Sequence, residues 1–149
     1  MNLKIKKGKR TVTTDIAYIA GFLDGEGCIR IKKANQGGNS YYVWVAITNS
    51  YKPTLDFVQS VFGGQVRQAE KTVNKIVYHY LITASEAVDM LKTILGFLRD
   101  KKKQAELAII FHDNKDRLSP SGKDLAYRRM KDLKKGNIYE NPELLTNHH

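Results

Sequence analysis

Ile19-Ala20-Gly21-Phe22-Leu23-Asp24-Gly25-Glu26-Gly27 closes the first amphipathic stretch of the chain, and its composition is unlike that of an ordinary core helix. Thr13-Thr14-Asp15 supplies N-cap candidates just ahead of it, and Ile16, Ile19, Ala20 and Leu23 recur at helical spacing. A first helix is therefore expected from Ile16 to about Asp24. Ala17, Ala20, Gly21 and Gly25 make another face small enough for a second helix to approach closely. Gly25 and Gly27 flank Glu26 and should end the helix, because glycine is a poor helix former. A small-residue packing helix with an Asp-Gly turn would account for the glycines. It does not account for two acids, Asp24 and Glu26, at the same end. Carboxylates there face the negative end of the helix dipole unless a cation compensates, and a divalent metal would do so.

Downstream, the periodicity switches to two. Cys28 to Lys33 alternates, with Ile29 and Ile31 on one side and Arg30 and Lys32 on the other. Asn35-Gln36-Gly37-Gly38-Asn39 reads as a turn, and Tyr41 to Thr48 as the return strand, with Val43, Val45 and Ile47 opposite Tyr42, Trp44 and Ala46. Pro53 suits the first turn of a second helix running to about Phe62, closed by Gly63-Gly64. Gln65 to Ala69 and about Lys75 to Thr83 form a second hairpin around a polar turn, although Tyr78, His79 and Tyr80 support either register of its last strand. Ser85 can cap a third helix with Val88, Leu91, Ile94, Leu95 and Leu98 inward. Asp100 to His112 reads as a further helix and Asp124 to Lys135 as a last basic one, separated by Ser119-Pro120-Ser121-Gly122. The order makes an α+β protein, with helices expected over one sheet face and the other left for a ligand.

Charge narrows the ligand. The 149 residues carry 25 Lys and Arg against 15 Asp and Glu, a net charge of +10. A surplus of that size favours a polyanion, because each neutralised phosphate releases condensed counterions. The sequence has one cysteine, Cys28, which excludes an intramolecular disulfide and suits a reducing compartment. No apolar run approaches the roughly 20 residues needed to span a bilayer, and no apolar segment follows the basic start, so an intracellular protein with no membrane partner is expected. Residues 1–13 read as a basic arm, 14–136 as one domain, and 137–149 as a polar tail.

The nine residues from Ile19 to Gly27 resemble the LAGLIDADG motif position by position, and the element order over roughly residues 14–112 is similar to that family's α-β-β-α-β-β-α core. Phe97-Leu98-Arg99-Asp100-Lys101-Lys102-Lys103-Gln104-Ala105 resembles its second signature. The resemblance implies a saddle-shaped antiparallel sheet covered by helices on one face. It also implies a homing endonuclease, encoded within an intron, that hydrolyses both strands of a long near-palindromic DNA target. One motif copy per chain implies a homodimer, joined through Ala17, Ala20, Gly21 and Asp24, with no small-molecule substrate. Glu26 and the Gly25 carbonyl would hold Mg²⁺, for which Mn²⁺ would substitute, in an archaeal or bacterial cytoplasm or an organelle. Most members have Asp where this chain has Glu26. Asn49 would orient the attacking water and Lys101 would sit by the scissile phosphate, with Lys52 as a further basic candidate. No histidine is needed as base.

A strand of about nine residues spans roughly 30 Å, the length of about nine base pairs at ~3.4 Å each. Such a ribbon fits the major groove. Arg30, Lys32, Gln36, Tyr42, Trp44, Arg67 and Lys71 are the expected reading residues, with Trp44 equally suited to a core position. Two rival functions share these features: an RNA-binding intron maturase, and a DNA-binding regulator that does not cut. A generic basic RNA-associated protein would leave the motif a coincidence.

Overall fold

The computed structural model describes residues 12–35, 38 and 40–136, so the expected arm, the tail and Gln36 lie outside the described residues, apart from Val12 and Thr13. The elements are α1 (Thr13–Glu26), β1 (Gly27–Lys33), β2 (Tyr41–Asn49), α2 (Lys52–Phe62), β3 (Gln65–Lys71), β4 (Ile76–Thr83), α3 (Ala84–Ile94), α4 (Lys102–Asn114) and α5 (Pro120–Lys134). Short 3-10 turns at Leu95–Phe97 and Lys115–Arg117 join α3 to α4 and α4 to α5.

The four strands make one antiparallel sheet in the order β1-β2-β4-β3. Ile29, Ile31, Val43, Val45, Ile47, Tyr80 and Ile82 point to its inner face and are almost wholly buried. Helices α3 and α4 pack on that face, α2 lies against β4 and β3, and α5 against β1 and α4. The two parities of the strands thus have opposite fates. The outer-face parity keeps Arg30, Thr48 and Arg67 exposed and Lys32, Tyr42, Trp44 and His79 half-buried. The register of β4 is settled by Tyr80, whose buried hydroxyl donates to the Gly63 carbonyl at 2.8 Å. His79 therefore faces outward, paired with Thr48 and Arg67.

Two expectations are overturned here. Pairing shifts by one residue between Gln68 and Glu70, so Lys71 lies opposite Ile76 rather than continuing the side of Arg67. A β-bulge adds one residue to one strand and moves everything beyond it to the other face. Lys71 accordingly shares the parity of Tyr78 and Tyr80 and leaves the set of outer-face candidates. Ala20 is the other correction. At about 100° per residue it falls about 70° from the centre of the face formed by Ile16, Ile19 and Leu23, and it is fully buried in the chain's own core. It is not available to a partner helix.

Helix boundaries also differ from their sequence signals. α1 runs through Gly25 and stops at Gly27, whose N–H bonds the Leu23 carbonyl. A Cβ on Gly27 would stand 2.2 Å from Leu23 Cδ1 and 2.8 Å from the Leu23 carbonyl oxygen, so the helix-to-strand corner requires glycine. Ser85 does not cap α3, which instead follows β4 directly through Ala84, held at φ 55°. α5 starts four residues earlier than its basic run suggests, because Ser119 Oγ accepts from Gly122 N at 3.1 Å and Pro120 occupies the first turn.

Candidate acid site and nucleic-acid interface

The foot of α1 is tied to the start of α4 across more than seventy positions of sequence. The Asp24 carboxylate accepts from the backbone N–H of Arg99 at 2.8 Å and of Lys101 at 3.0 Å. Lys101 Nζ returns the contact by donating to the Asp24 carbonyl. The last turn of α1 contains no basic residue of its own, so Lys101 supplies the cation that its carbonyl end favours. A side-chain ammonium thus supplies part of the compensating charge for which a divalent metal was one candidate. Asp24 is fully engaged within its own chain, as a brace for the α4 junction.

Glu26 differs. It is exposed, and its side chain has neither a hydrogen bond nor an ion pair with any described residue. Its carboxylate is the acid left over at the helix end, two residues beyond the carbonyl that Lys101 holds. Gly25 lies beside it, and the last four carbonyls of a helix have no intrahelical donor. Hard oxygens of this kind suit Mg²⁺, so Glu26 and the Gly25 carbonyl fit a metal. They are too few to enclose one, since no group of three or more His, Cys, Asp or Glu lies together among the described residues.

Asn49 ends β2, two residues beyond the Ile47–Gly27 pair, and so stands at the same end of the sheet as the α1–β1 corner. Its Oδ1 accepts from Tyr51 N at 2.8 Å, which fixes the side chain as an Asx turn leading into α2. That leaves its amide NH₂ as the group to offer a water. Lys52 is removed from the site by Asp56, one turn along α2, to whose carboxylate it is paired at 2.9 Å.

On the outer sheet face Trp44 is the centre of a cluster. The Lys32 ammonium stands 4.1 Å from its ring centroid, the Arg30 guanidinium 5.4 Å, and the His79 ring 6.0 Å. Trp44 is therefore neither core nor free; cations flank it on the open face. Tyr42 stands beside Lys32 in the ladder. The structure adds two polar residues that the sequence left out. Thr48 Oγ1 and His79 Nδ1 are 3.0 Å apart, on adjacent central strands. Thr48 was readable from its alternation with Trp44 and Ala46, whereas His79 depended on a register that its tyrosine neighbours obscured. Burial, followed by the charges of Arg67 and Lys32, holds His79 below the ordinary imidazole value.

Cys28 shares this parity at the end of β1 nearest α1. Arg30 Nε and Lys134 Nζ reach its sulfur at 3.1 Å and 2.7 Å. Burial pushes the thiol up, but these hydrogen bonds and charges outweigh it and leave Cys28 below its ordinary value.

The helix side of the site has an open face as well. Added Cβ atoms on Gly21 and Gly25 would meet nothing within 4 Å. Tyr18, one turn before Phe22, is 54% exposed on the same side, although it touches the Phe22 and Phe57 rings.

A family model described as the LAGLIDADG-like domain matches residues 13–96. Among solved structures, the homing endonuclease I-CvuI in complex with its target superposes with a TM-score of 0.68 at 20% identity, covering 90% of this chain and 91% of the other. The archaeal intron-encoded homing endonuclease I-Vdi141I complexed with DNA gives 0.68 at 13% identity, covering 90% and 93%. The LAGLIDADG meganuclease I-AabMI bound to uncleaved DNA gives 0.62 at 20% identity, and there this chain corresponds to 49% of the other. Likeness at these identities establishes the fold. No curated protein sequence matches the chain.

Proposed function

This chain belongs to the LAGLIDADG family, and from that premise we propose that it is a site-specific DNA endonuclease acting as a Mg²⁺-dependent homodimer, each subunit hydrolysing one strand of a near-palindromic target. The observation that carries the reading is the division of labour at the foot of α1. Asp24 is consumed by structure, while Glu26 beside it is exposed and unengaged.

In this reading two α1 helices meet through the face of Ala17, Gly21 and Gly25. Each helical glycine costs roughly 0.5–1 kcal/mol relative to alanine. Nothing among the described residues requires Gly21 or Gly25, since a Cβ on either would meet none of them within 4 Å. A second helix against that face gives the glycines a purpose and brings a second Glu26 close to the first. The relatives bound to DNA support the substrate, and a net charge of +10 suits it.

Glu26 and the Gly25 carbonyl would hold the metal. When bound, that ion supplies positive charge at the phosphate and lowers the pKa of its water. Asn49 presents its amide to the attacking water. Lys101, held at the Asp24 carbonyl, adds positive charge beside the same phosphate. The outer sheet face, with Arg30, Lys32, Tyr42, Trp44 and Arg67, reads the major groove of one half-site.

The test begins with a duplex selected from randomised sequence. The parent should linearise a supercoiled plasmid carrying that site when Mg²⁺ is present. Glu26→Gln should bind the site with unchanged affinity and cut at least roughly 100-fold more slowly. Equal cutting by parent and variant would sink the proposal.

A further inference from the structure

The basic helix α5 buries Gly122, Ala126 and Met130 against the rest of the chain, and its last turns border a groove of about 540 Å³ beside edge strand β1. Six cations line that groove: Arg30, Lys32 and Lys33 from β1, and Lys131, Lys134 and Lys135 from the end of α5. Among the described residues no carboxylate lines it. Between the two rows lies Tyr127, with the Lys131 ammonium 4.4 Å and the Lys33 ammonium 5.1 Å from its ring centroid. Like charges at this density repel one another, and core packing does not require them, because the residues that α5 buries are Gly122, Ala126 and Met130. An anion along the groove removes the repulsion.

The groove is continuous with the outer sheet face. Arg30 and Lys32 line it and also flank Trp44 on that face. Cys28 points to the same side, and Lys134 crosses the edge of β1 to reach its sulfur at 2.7 Å. The end of α5 therefore directs charge around the sheet edge toward the surface that would carry DNA, near the α1–β1 corner and Glu26.

We propose that the end of α5 is a clamp for the phosphodiester backbone of the duplex lying on the sheet, gripping one strand along the β1 edge through Lys131, Lys134 and Lys135. This rests on the endonuclease reading of the sheet. Such contacts carry no base information, so they raise affinity for all sequences alike and set the protein's position on the duplex.

The experiment measures binding of the full chain to a random-sequence duplex of about 30 base pairs, longer than two strand-length half-sites, without divalent metal, across a salt series. Each phosphate contact contributes about 0.9 to the slope of log affinity against log salt. Combining Lys131→Gln, Lys134→Gln and Lys135→Gln should lower that slope by about two to three units, while Lys92→Gln, on the helix-covered side, leaves it unchanged. The corresponding triple arginine variant should restore it, which separates lost charge from altered packing. If the parent binds duplex and the glutamine variant keeps the parent's slope, the clamp is wrong and the endonuclease reading stands. If the loss appears only with single-stranded RNA of equal length, the groove serves RNA and the clamp is again wrong. A parent that binds no duplex at all removes both.

Discussion

His79 and His112 are both held below the ordinary imidazole value of 6.5, in each case chiefly by burial and then by nearby cations: Arg67 and Lys32 for His79, Lys115 first for His112. Below that value the unfolded chain takes up protons that the folded chain refuses. Their contribution to stability is intact above the window and declines as pH falls through it. Urea midpoints measured at about pH 7.5 and about pH 5.5 should show the parent losing stability on acidification. The His79→Gln, His112→Gln double variant should lose less over the same interval, and an equal loss would mean that other groups dominate. Glu26 shows the reach of residue-level reading. Its acid chemistry was legible in nine letters, and the motif resemblance already implied a bracing role for Asp24; the groups it braces were not legible, because the N–H groups that engage it arrive more than seventy residues later.

At the scale of elements, α1 contains glycines of two kinds. Gly27 is demanded by the chain itself, because a methyl group there collides with Leu23. Gly27→Ala should destabilise the fold by about 1–3 kcal/mol, the usual cost of overpacking, read from a denaturant midpoint. A Cβ on Gly21 would meet no described residue within 4 Å. Gly21→Ala should raise the stability of the isolated subunit by about 0.5–1 kcal/mol, while Gly21→Leu should abolish association in a sedimentation experiment and leave the subunit folded. A monomeric parent would overturn the second expectation. The sequence showed these glycines but not their difference, which depends on where the side chains of α1 point. The same holds for Ala20, whose small size suggested an interface while its angular position assigns it to the core. The strands were easier to read, since alternation is local: β1 and β2 keep the inward set of Ile29, Ile31, Val43, Val45 and Ile47. The bulge in β3 escaped because Gln68, Ala69 and Glu70 carry no apolar alternation to mark a slip.

At the scale of the whole molecule, each chain brings one unengaged acid at the foot of α1, so in the proposed dimer the number of cuts should follow the number of intact Glu26 residues. A mixed dimer of parent and Glu26→Gln subunits, purified through two different tags, should nick its plasmid target rather than linearise it. Linear product from the mixed dimer at the parent's rate would show that one subunit can cut both strands. The sheet has one more property that matters between molecules. Strand β3 is an outer strand of the sheet, it is interrupted by a bulge, and it carries Arg67 and Lys71. Cations and bulges are the means by which exposed strand rims avoid zipping onto one another. Replacing Arg67, proposed above as a base-reading residue, with an apolar side chain would weaken that safeguard, so such variants should be screened for aggregation in the absence of DNA.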